Sequence, residues 1–124
     1  MTSQKETVLI IGASDKPDRY SYKAFKMLTS HGHKVVMVHP TLKEVEGQKV
    51  YHQLSEVKEK IDTITMYVNP SLSTPLEQGM IKIKPSRVIF NPGTENKPLE
   101  ESLNKSSIQT EQACTLVLLS TNQF

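Results

Sequence analysis

Short apolar runs that alternate with amphipathic segments limit what this chain can fold into. The runs TVLIIGA, KVVMVHP, IDTITMYVNP and SRVIFNPG are rich in apolar residues and close on or beside a glycine or proline. Strands that are buried on both faces have this character, because helices cover both sides of a parallel sheet. The pattern therefore predicts an α/β fold with a doubly wound parallel sheet.

Helix signals follow the first predicted strand. Ala24, Phe25 and Leu28 fall on one face of a helix predicted over 21–30. Gly32 then stands where a helix C-cap is expected. His31 and His33, on either side of this glycine, are expected at the surface.

The second half of the chain repeats the alternation. One helix is predicted to start at Ser73, and another is predicted after a cap at Asn96. A short strand is predicted over 108–110. The final run ACTLVLL fits a helix, although its β-branched residues fit a strand nearly as well. The segment 41–53 is predicted to be a surface loop with a tight turn at Glu46-Gly47.

Length and composition limit the class of protein. A chain of 124 residues suits one domain, predicted to span residues 1–124. The net charge of +2 is small and tryptophan is absent, which argues against a nucleic-acid-binding surface. With Cys114 as its single cysteine the chain forms no internal disulfide, and it shows neither a membrane-length apolar stretch nor a signal peptide. We therefore expect a cytoplasmic protein that does not bind membranes.

The carboxyl ends of the predicted strands are the expected ligand site. In open parallel sheets, ligands bind beyond these ends, where the strand order reverses. Three of the four strands end in a polar residue followed by proline. Proline stops a strand by itself, but three at one edge indicate a rigid rim around a pocket.

The loop after the first strand carries residue types that bind phosphate. Gly12 allows a ligand to approach the backbone, Ser14 offers a hydroxyl, and Arg19 offers a planar cation. Ser21 lies where the first helix begins, close to free backbone amides. Ser21 alone fits an ordinary N-cap, but the whole set favours an anion site.

Two features argue against a nicotinamide cofactor. The loop G-A-S-D-K-P lacks the G-x-G-x-x-G fingerprint of dinucleotide-binding folds. The second strand ends in His39-Pro40, where an acidic residue is expected to hold the ribose hydroxyls. Lys43 follows instead, which favours another phosphate in this region.

The order of these motifs resembles a known family. The pattern G-A-S-x-x-P-x-R-x-S, then a strand ending in x-P, then K-E-V-x-G, then another strand ending in x-P, is similar to that of the small stand-alone CoA-binding domain proteins. These are relatives of the CoA-binding domain in the succinyl-CoA synthetase α-subunit. The resemblance implies a Rossmann-like domain that binds coenzyme A and has no established reaction in most members.

The resemblance also implies which residues meet the ligand. They fall into four groups at the carboxyl ends of the strands. The groups are Gly12, Ala13 and Ser14 beside the ligand, with Arg19 and Ser21 at phosphate oxygens; His39, Pro40 and Lys43 at the adenosine 3′-phosphate; Val68, Asn69 and Pro70 on the neighbouring wall; and Asn91, Pro92, Gly93 and Thr94 on the far side.

The sequence assembles no catalytic set. Among the histidines, His39 alone is predicted to face the site, and no spacing suggests a metal centre. Cys114 lies in an apolar run and is expected to be a packing residue. The favoured interpretation is a non-catalytic module that binds coenzyme A or an acyl-CoA, with unknown protein partners. The alternatives are a nucleotide-dependent enzyme of the NAD(P) type and a regulatory subunit.

Overall fold

The computed structural model describes residues 4–124, and its elements follow the predicted alternation of strands and helices. The strands are β1 (Thr7–Ile11), β2 (Lys34–Val38), β3 (Glu44–Val45), β4 (Gln48–Tyr51), β5 (Thr63–Met66), β6 (Arg87–Phe90) and β7 (Gln109–Gln112). The α-helices are α1 (Tyr20–Ser30), α2 (Pro70–Ser73), α3 (Glu77–Ile83), α4 (Lys97–Lys105) and α5 (Thr115–Ser120). Short 3-10 helices lie at Leu54–Glu56 and Thr74–Leu76. No helix in this range is long and apolar enough to cross a membrane.

Residues 4–124 form a seven-stranded sheet in the order β3-β4-β2-β1-β5-β6-β7. All pairings are parallel except the β3–β4 hairpin, in which Glu44 lies opposite Lys49. With β3 set aside, the parallel strands follow the 3-2-1-4-5-6 order of a Rossmann fold. The predicted Rossmann-like α/β fold is confirmed, and its strand order reverses between β1 and β5.

The central strands are buried at nearly every position because their two faces pack against different helices. On β1, Val8 packs with Leu28 in the core that α1 and α5 cover. The next residue, Leu9, packs in the opposite core with Met80 of α3 and Leu103 of α4. Fully burying a side chain of this kind stabilises the fold by about 1.5–3 kcal/mol, so both faces of the strand favour apolar residues.

The segment predicted to be a loop, 41–53, contains the β3–β4 hairpin. Val45 pairs with Gln48 across the predicted turn, and Glu46 and Gly47 have φ angles of 49° and 82°. Positive φ angles at both turn positions belong to the two-residue turn that best fits the twist of a hairpin. The turn was predicted correctly, but the loop prediction is wrong, since strands of two and four residues carry too little periodicity to be seen.

The helical segment after β5 begins at Pro70, not at Ser73 as predicted. The side chain of Asn69 caps it by accepting a hydrogen bond from the Leu72 amide at 3.2 Å. Proline is well suited to the first position of a helix, because it has no N–H to leave unpaired. Asn69-Pro70 therefore starts the helix, after a short connection from the end of β5 at Met66.

The last elements and one histidine also differ from expectation. Strand β7 runs over Gln109–Gln112, slightly later than predicted, and the ACTLVLL run forms α5. His33 is buried instead of exposed. Its Nδ1 accepts a hydrogen bond from the Glu6 amide at 3.0 Å, and its ring lies 5.0 Å from the ring of Phe124. The prediction of an exposed His33 is wrong because the residues that cover it, Glu6 and Phe124, are distant from it in the sequence.

Candidate functional site

A cleft of about 890 Å³ opens at the carboxyl ends of the central strands. It lies where the strand order reverses, which is the position that ligands occupy in open α/β sheets. The residues that line it are Gly12, Ala13, Ser14, Asp15, Lys16, Arg19, Tyr20, Ser21, His39, Thr41, Leu42, Lys43, Tyr67, Val68, Asn69, Pro92, Gly93 and Thr94.

Gly12 brings the loop after β1 against the loop after β5. A Cβ atom at this position would lie 2.8 Å from Val68 Cγ1 and 3.0 Å from the carbonyl oxygen of Tyr67. The amides of Gly12 and Ala13 both donate to the carbonyl of Val38, at 3.1 and 3.2 Å. Contacts among β1, β2 and β5 thus fix the floor of the cleft.

Replacing Gly12 by alanine should therefore cost more stability than the same change at Gly93. Both glycines have φ near +90°, where a Cβ costs about 1–2 kcal/mol, but Gly93 has open space around it. Overpacking at Gly12 should add about 1–2 kcal/mol to the loss of unfolding free energy. Urea denaturation of the two variants measures this difference, and equal losses would contradict the close packing of the cleft floor.

The N-terminus of α1 presents unpaired donors to the cleft. Arg19 is the N-cap residue and makes no side-chain capping bond. Among residues 4–124, the amides of Tyr20, Ser21 and Tyr22 donate to no other backbone group. Ser21 is only 5% exposed, lines the cleft, and its hydroxyl has no hydrogen-bond partner in that range. Such a helix end, with its dipole and free amides, is suited to binding an anion.

Positive charge surrounds this helix end. Lys16, Arg19 and Lys43 line the cleft together with a single carboxylate, that of Asp15. None of the four forms an ion pair with another described residue. The cleft therefore has an excess of cationic groups that are available to a ligand.

His39 shapes the loop after β2. Its Nδ1 accepts hydrogen bonds from the amides of Thr41 and Leu42, at 3.1 and 3.0 Å. A nitrogen that accepts carries no proton, so the proton of the neutral ring is on Nε2. His39 thus acts first as a capping residue for the loop that carries Lys43 to the cleft.

Tyr67 and Asn69 form the wall after β5. The hydroxyl of Tyr67 is buried and has no hydrogen-bond partner among the described residues. Burial raises the pKa of this tyrosine from 10.0 to about 12, so it stays neutral at ordinary pH. The side-chain oxygen of Asn69 accepts from the Ser71 hydroxyl at 2.6 Å as well as from the Leu72 amide.

The far wall contains Pro92, Gly93 and Thr94, whereas Asn91 lies beneath it. Asn91 is 3% exposed, and its amide group donates to the Thr65 hydroxyl at 2.7 Å and to the Met66 carbonyl at 2.8 Å. The Thr94 hydroxyl donates to the Asn91 carbonyl at 2.7 Å. Asn91 therefore supports the wall from inside the sheet.

A model of the CoA binding domain family matches residues 6–120 of this chain. The chain belongs to this family. The resemblance drawn from the loop motifs is therefore confirmed at the level of the family.

Relatives of this CoA-binding domain include proteins without an assigned role. A crystal structure of an uncharacterized protein has a TM-score of 0.93 and 40% identity, over 98% of this chain and 100% of that one. The uncharacterized protein YneT of Bacillus subtilis (strain 168) is 30% identical over 64 residues. That match spans 52% of this chain and 47% of YneT, less than half of the relative's length.

A similar fold occurs within a larger enzyme. The acetyl-coenzyme A synthetase 1 of Ca. Korarchaeum cryptofilum, described as dinucleotide forming, has a TM-score of 0.73 with 20% identity. The likeness covers 85% of this chain and 25% of the synthetase chain, and it shows the fold alone.

Most of the predicted site residues lie together in the cleft of this CoA-binding domain. Pro40, Pro70 and Asn91 are the predicted residues that do not line it. The lining residues that sequence reasoning did not name are Asp15, Lys16, Tyr20, Thr41, Leu42 and Tyr67. Each stands next to a named residue, or between two of them, so taking whole loops instead of selected positions would have included them.

Cys114 lies outside the cleft lining and is half-buried at the N-cap of α5. A packing residue, which the apolar run predicts for Cys114, would be buried more fully than this. In α5, however, Thr115 and Leu119 are buried whereas Val117 is 54% exposed. A helix buries only one of its faces, so an apolar run does not by itself determine how deeply the neighbouring Cys114 is buried.

Proposed function

We propose that this protein binds coenzyme A, free or acylated, in the cleft and carries out no reaction on it. The observation that carries the proposal is the uncapped N-terminus of α1, where the Ser21 hydroxyl and the Arg19 guanidinium have no hydrogen-bond or ion-pair partner among residues 4–124, and Lys43 lines the same cleft. Membership of a family named for CoA binding supports the same ligand.

The polar groups of the cleft match the phosphates of coenzyme A. We assign the pyrophosphate to the amides at the start of α1, with the Ser21 hydroxyl and the Arg19 guanidinium beside it. We assign the adenosine 3′-phosphate to Lys43, on the loop that His39 caps. Gly12, Val68 and the ring of Tyr67 would form the surface on which the rest of the ligand lies.

The absence of a reaction is inferred from how the candidate groups are used. The Ser14 hydroxyl accepts a hydrogen bond from the Lys16 amide at 3.1 Å, and Nδ1 of His39 is occupied by two amides. Tyr67 is held neutral by burial. Among the cleft residues described, no hydroxyl or thiol is hydrogen-bonded to a base, as an activated nucleophile would be.

A nucleotide-dependent enzyme of the NAD(P) type is the alternative. The strand order is that of dinucleotide-binding folds, which favours it. However, the residue after β2 is His39, and Lys43 lines the cleft from the same loop. The ribose hydroxyls of NAD would therefore meet a cation at the position where dinucleotide-binding sites have a carboxylate. We therefore expect NAD to bind more weakly than coenzyme A.

Titration calorimetry with coenzyme A, acetyl-CoA, 3′-dephospho-CoA, NAD and NADP tests the proposal. Coenzyme A should bind tightest or equal to acetyl-CoA, and 3′-dephospho-CoA should bind more weakly because it lacks the phosphate assigned to Lys43. Mass spectrometry of any ligand released from the purified protein gives an independent reading. Tighter binding of NAD than of coenzyme A would contradict the proposal, and turnover of acetyl-CoA would contradict its non-catalytic part.

A further inference from the structure

Glu46, at the tip of the β3–β4 hairpin, is bound to two residues of α1. Its carboxylate accepts hydrogen bonds from the Tyr22 hydroxyl and from Lys26 Nζ, the latter at 2.7 Å. Tyr22 and Lys26 are four positions apart and therefore lie on the same face of the helix. We call these three residues the Glu46 clamp.

The Glu46 clamp joins the two parts of the cleft that carry the phosphate-binding groups. Tyr22 directly follows Ser21, which lines the cleft at the start of α1. On the other side, Glu46 follows the loop that carries Lys43, and the Lys43 carbonyl accepts from the Val50 amide at 3.0 Å. Hydrogen bonds thus connect the hairpin tip to the first turns of α1 and connect strand β4 to the residue Lys43.

We infer that Glu46 is a positioning residue, which holds Lys43 at the distance from the α1 N-terminus that a doubly phosphorylated nucleotide requires. The inference rests on the proposed function, since it concerns how that ligand is held. Neither Glu46 nor Tyr22 lines the cleft, so both act through the backbone they fix.

Because Glu46 is negatively charged, a positioning role and electrostatic repulsion of the ligand phosphates predict opposite effects of removing it. A carboxylate near a site for phosphates repels the ligand, so its removal alone should strengthen binding. If the carboxylate positions Lys43, its removal should weaken binding instead. The hydrogen bond from Lys26 lowers the pKa of Glu46, so the carboxylate is ionised at neutral pH.

Other contacts limit the size of the effect. Val45 is 1% exposed, and Leu42 packs against the same core, so apolar burial also holds the hairpin on the domain. The side chains of Glu46 and Lys26 are 42% and 52% exposed, where ion pairs are weak. We expect the loss of the clamp to weaken coenzyme A binding about two- to fivefold and not to abolish it.

Three variants test the inference by calorimetry with coenzyme A. Glu46→Ala removes the clamp, and Tyr22→Phe removes one hydrogen bond without changing charge or ring packing. Glu44→Ala is the matched control, since Glu44 is an exposed glutamate of the same hairpin that makes no side-chain bond in the described residues. Glu46→Ala and Tyr22→Phe should weaken binding, whereas Glu44→Ala should leave it unchanged or slightly tighter. Tighter binding by Glu46→Ala would overturn the inference.

The path through Lys43 is tested by combining variants. In a Lys43→Ala background, Glu46→Ala should have no further effect on coenzyme A binding. An undiminished effect there would overturn the inference, because the clamp would then act elsewhere.

A readout without ligand separates this inference from the proposed function. Hydrogen exchange of the Val50 amide should be faster in Glu46→Ala than in the wild type or in Glu44→Ala. If the wild type binds no coenzyme A, the proposed function fails. Separately, if the Val50 amide exchanges at the same rate in Glu46→Ala as in the wild type, the inference about the Glu46 clamp is overturned. Faster exchange would still support a clamp that holds the Lys43 loop.

Discussion

Replacing Arg19 or Lys43 by alanine is expected to weaken the binding of coenzyme A about 10- to 100-fold. Both side chains line the cleft and form no ion pair among the described residues, so a ligand phosphate is free to bind them. Hydrogen bonds to a charged group contribute about 1.5–3 kcal/mol, and each 1.4 kcal/mol is a factor of ten in affinity. The salt dependence of binding should fall in both variants.

Two controls make this result specific. Lys105→Ala removes an exposed charge from the last turn of α4, outside the cleft, and should leave the affinity unchanged. Lys43→Ala should weaken the binding of coenzyme A but not that of 3′-dephospho-CoA, whereas Arg19→Ala should weaken both. Both side chains are exposed, so thermal denaturation of the free protein should be unchanged. Parental affinity in both variants would show that the phosphates bind elsewhere.

The main architecture could be predicted because its signals are local. Apolar runs of strand length and one-sided helices appear directly in the sequence, and β1 and α1 lie close to where those patterns placed them. The β3–β4 hairpin could not be found in this way. Its stability depends on Val45 and Val50, whose burial comes from packing against residues distant in the sequence.

The candidate cleft could be predicted for a topological reason, since parallel strands bring their carboxyl ends to one edge. What the sequence could not supply is the direction of a side chain at that edge. Asn69 and Asn91 both follow a strand and precede a proline, yet Asn69 lines the cleft and Asn91 does not. The difference arises because the Thr115 amide, from the start of α5, donates to Asn91 at 2.8 Å.

The Asn91 amide group is the centre of a buried hydrogen-bond network. It joins the end of β6 to Thr65 and Met66 on β5 and to the first residue of α5. The hydroxyls of Thr65 and Thr115 are themselves 2.8 Å apart and hydrogen-bonded. All of these groups are shielded from water, so each depends on the others for its hydrogen bonds.

Replacing Asn91 by alanine is therefore expected to lower the free energy of unfolding by about 3 kcal/mol. The change leaves the Thr115 amide and the Met66 carbonyl without the side chain that now satisfies them, and an unpaired buried polar group costs about 1–3 kcal/mol. Asn104→Ala is the matched control, because Asn104 is exposed and its side chain makes one hydrogen bond among residues 4–124, accepted from the Thr110 hydroxyl, so the loss should stay within about 0.5 kcal/mol.

A gentler variant probes the same network if Asn91→Ala does not fold. Thr115→Val removes the hydroxyl bond to Thr65 but keeps the amide that binds Asn91, so it should cost about 1 kcal/mol. Urea denaturation measures all three variants, and calorimetry of the folded ones should show coenzyme A affinity within about twofold of the parent, because Asn91 lies beneath the cleft wall. A large loss of affinity with little loss of stability would instead place the Asn91 side chain among the ligand contacts.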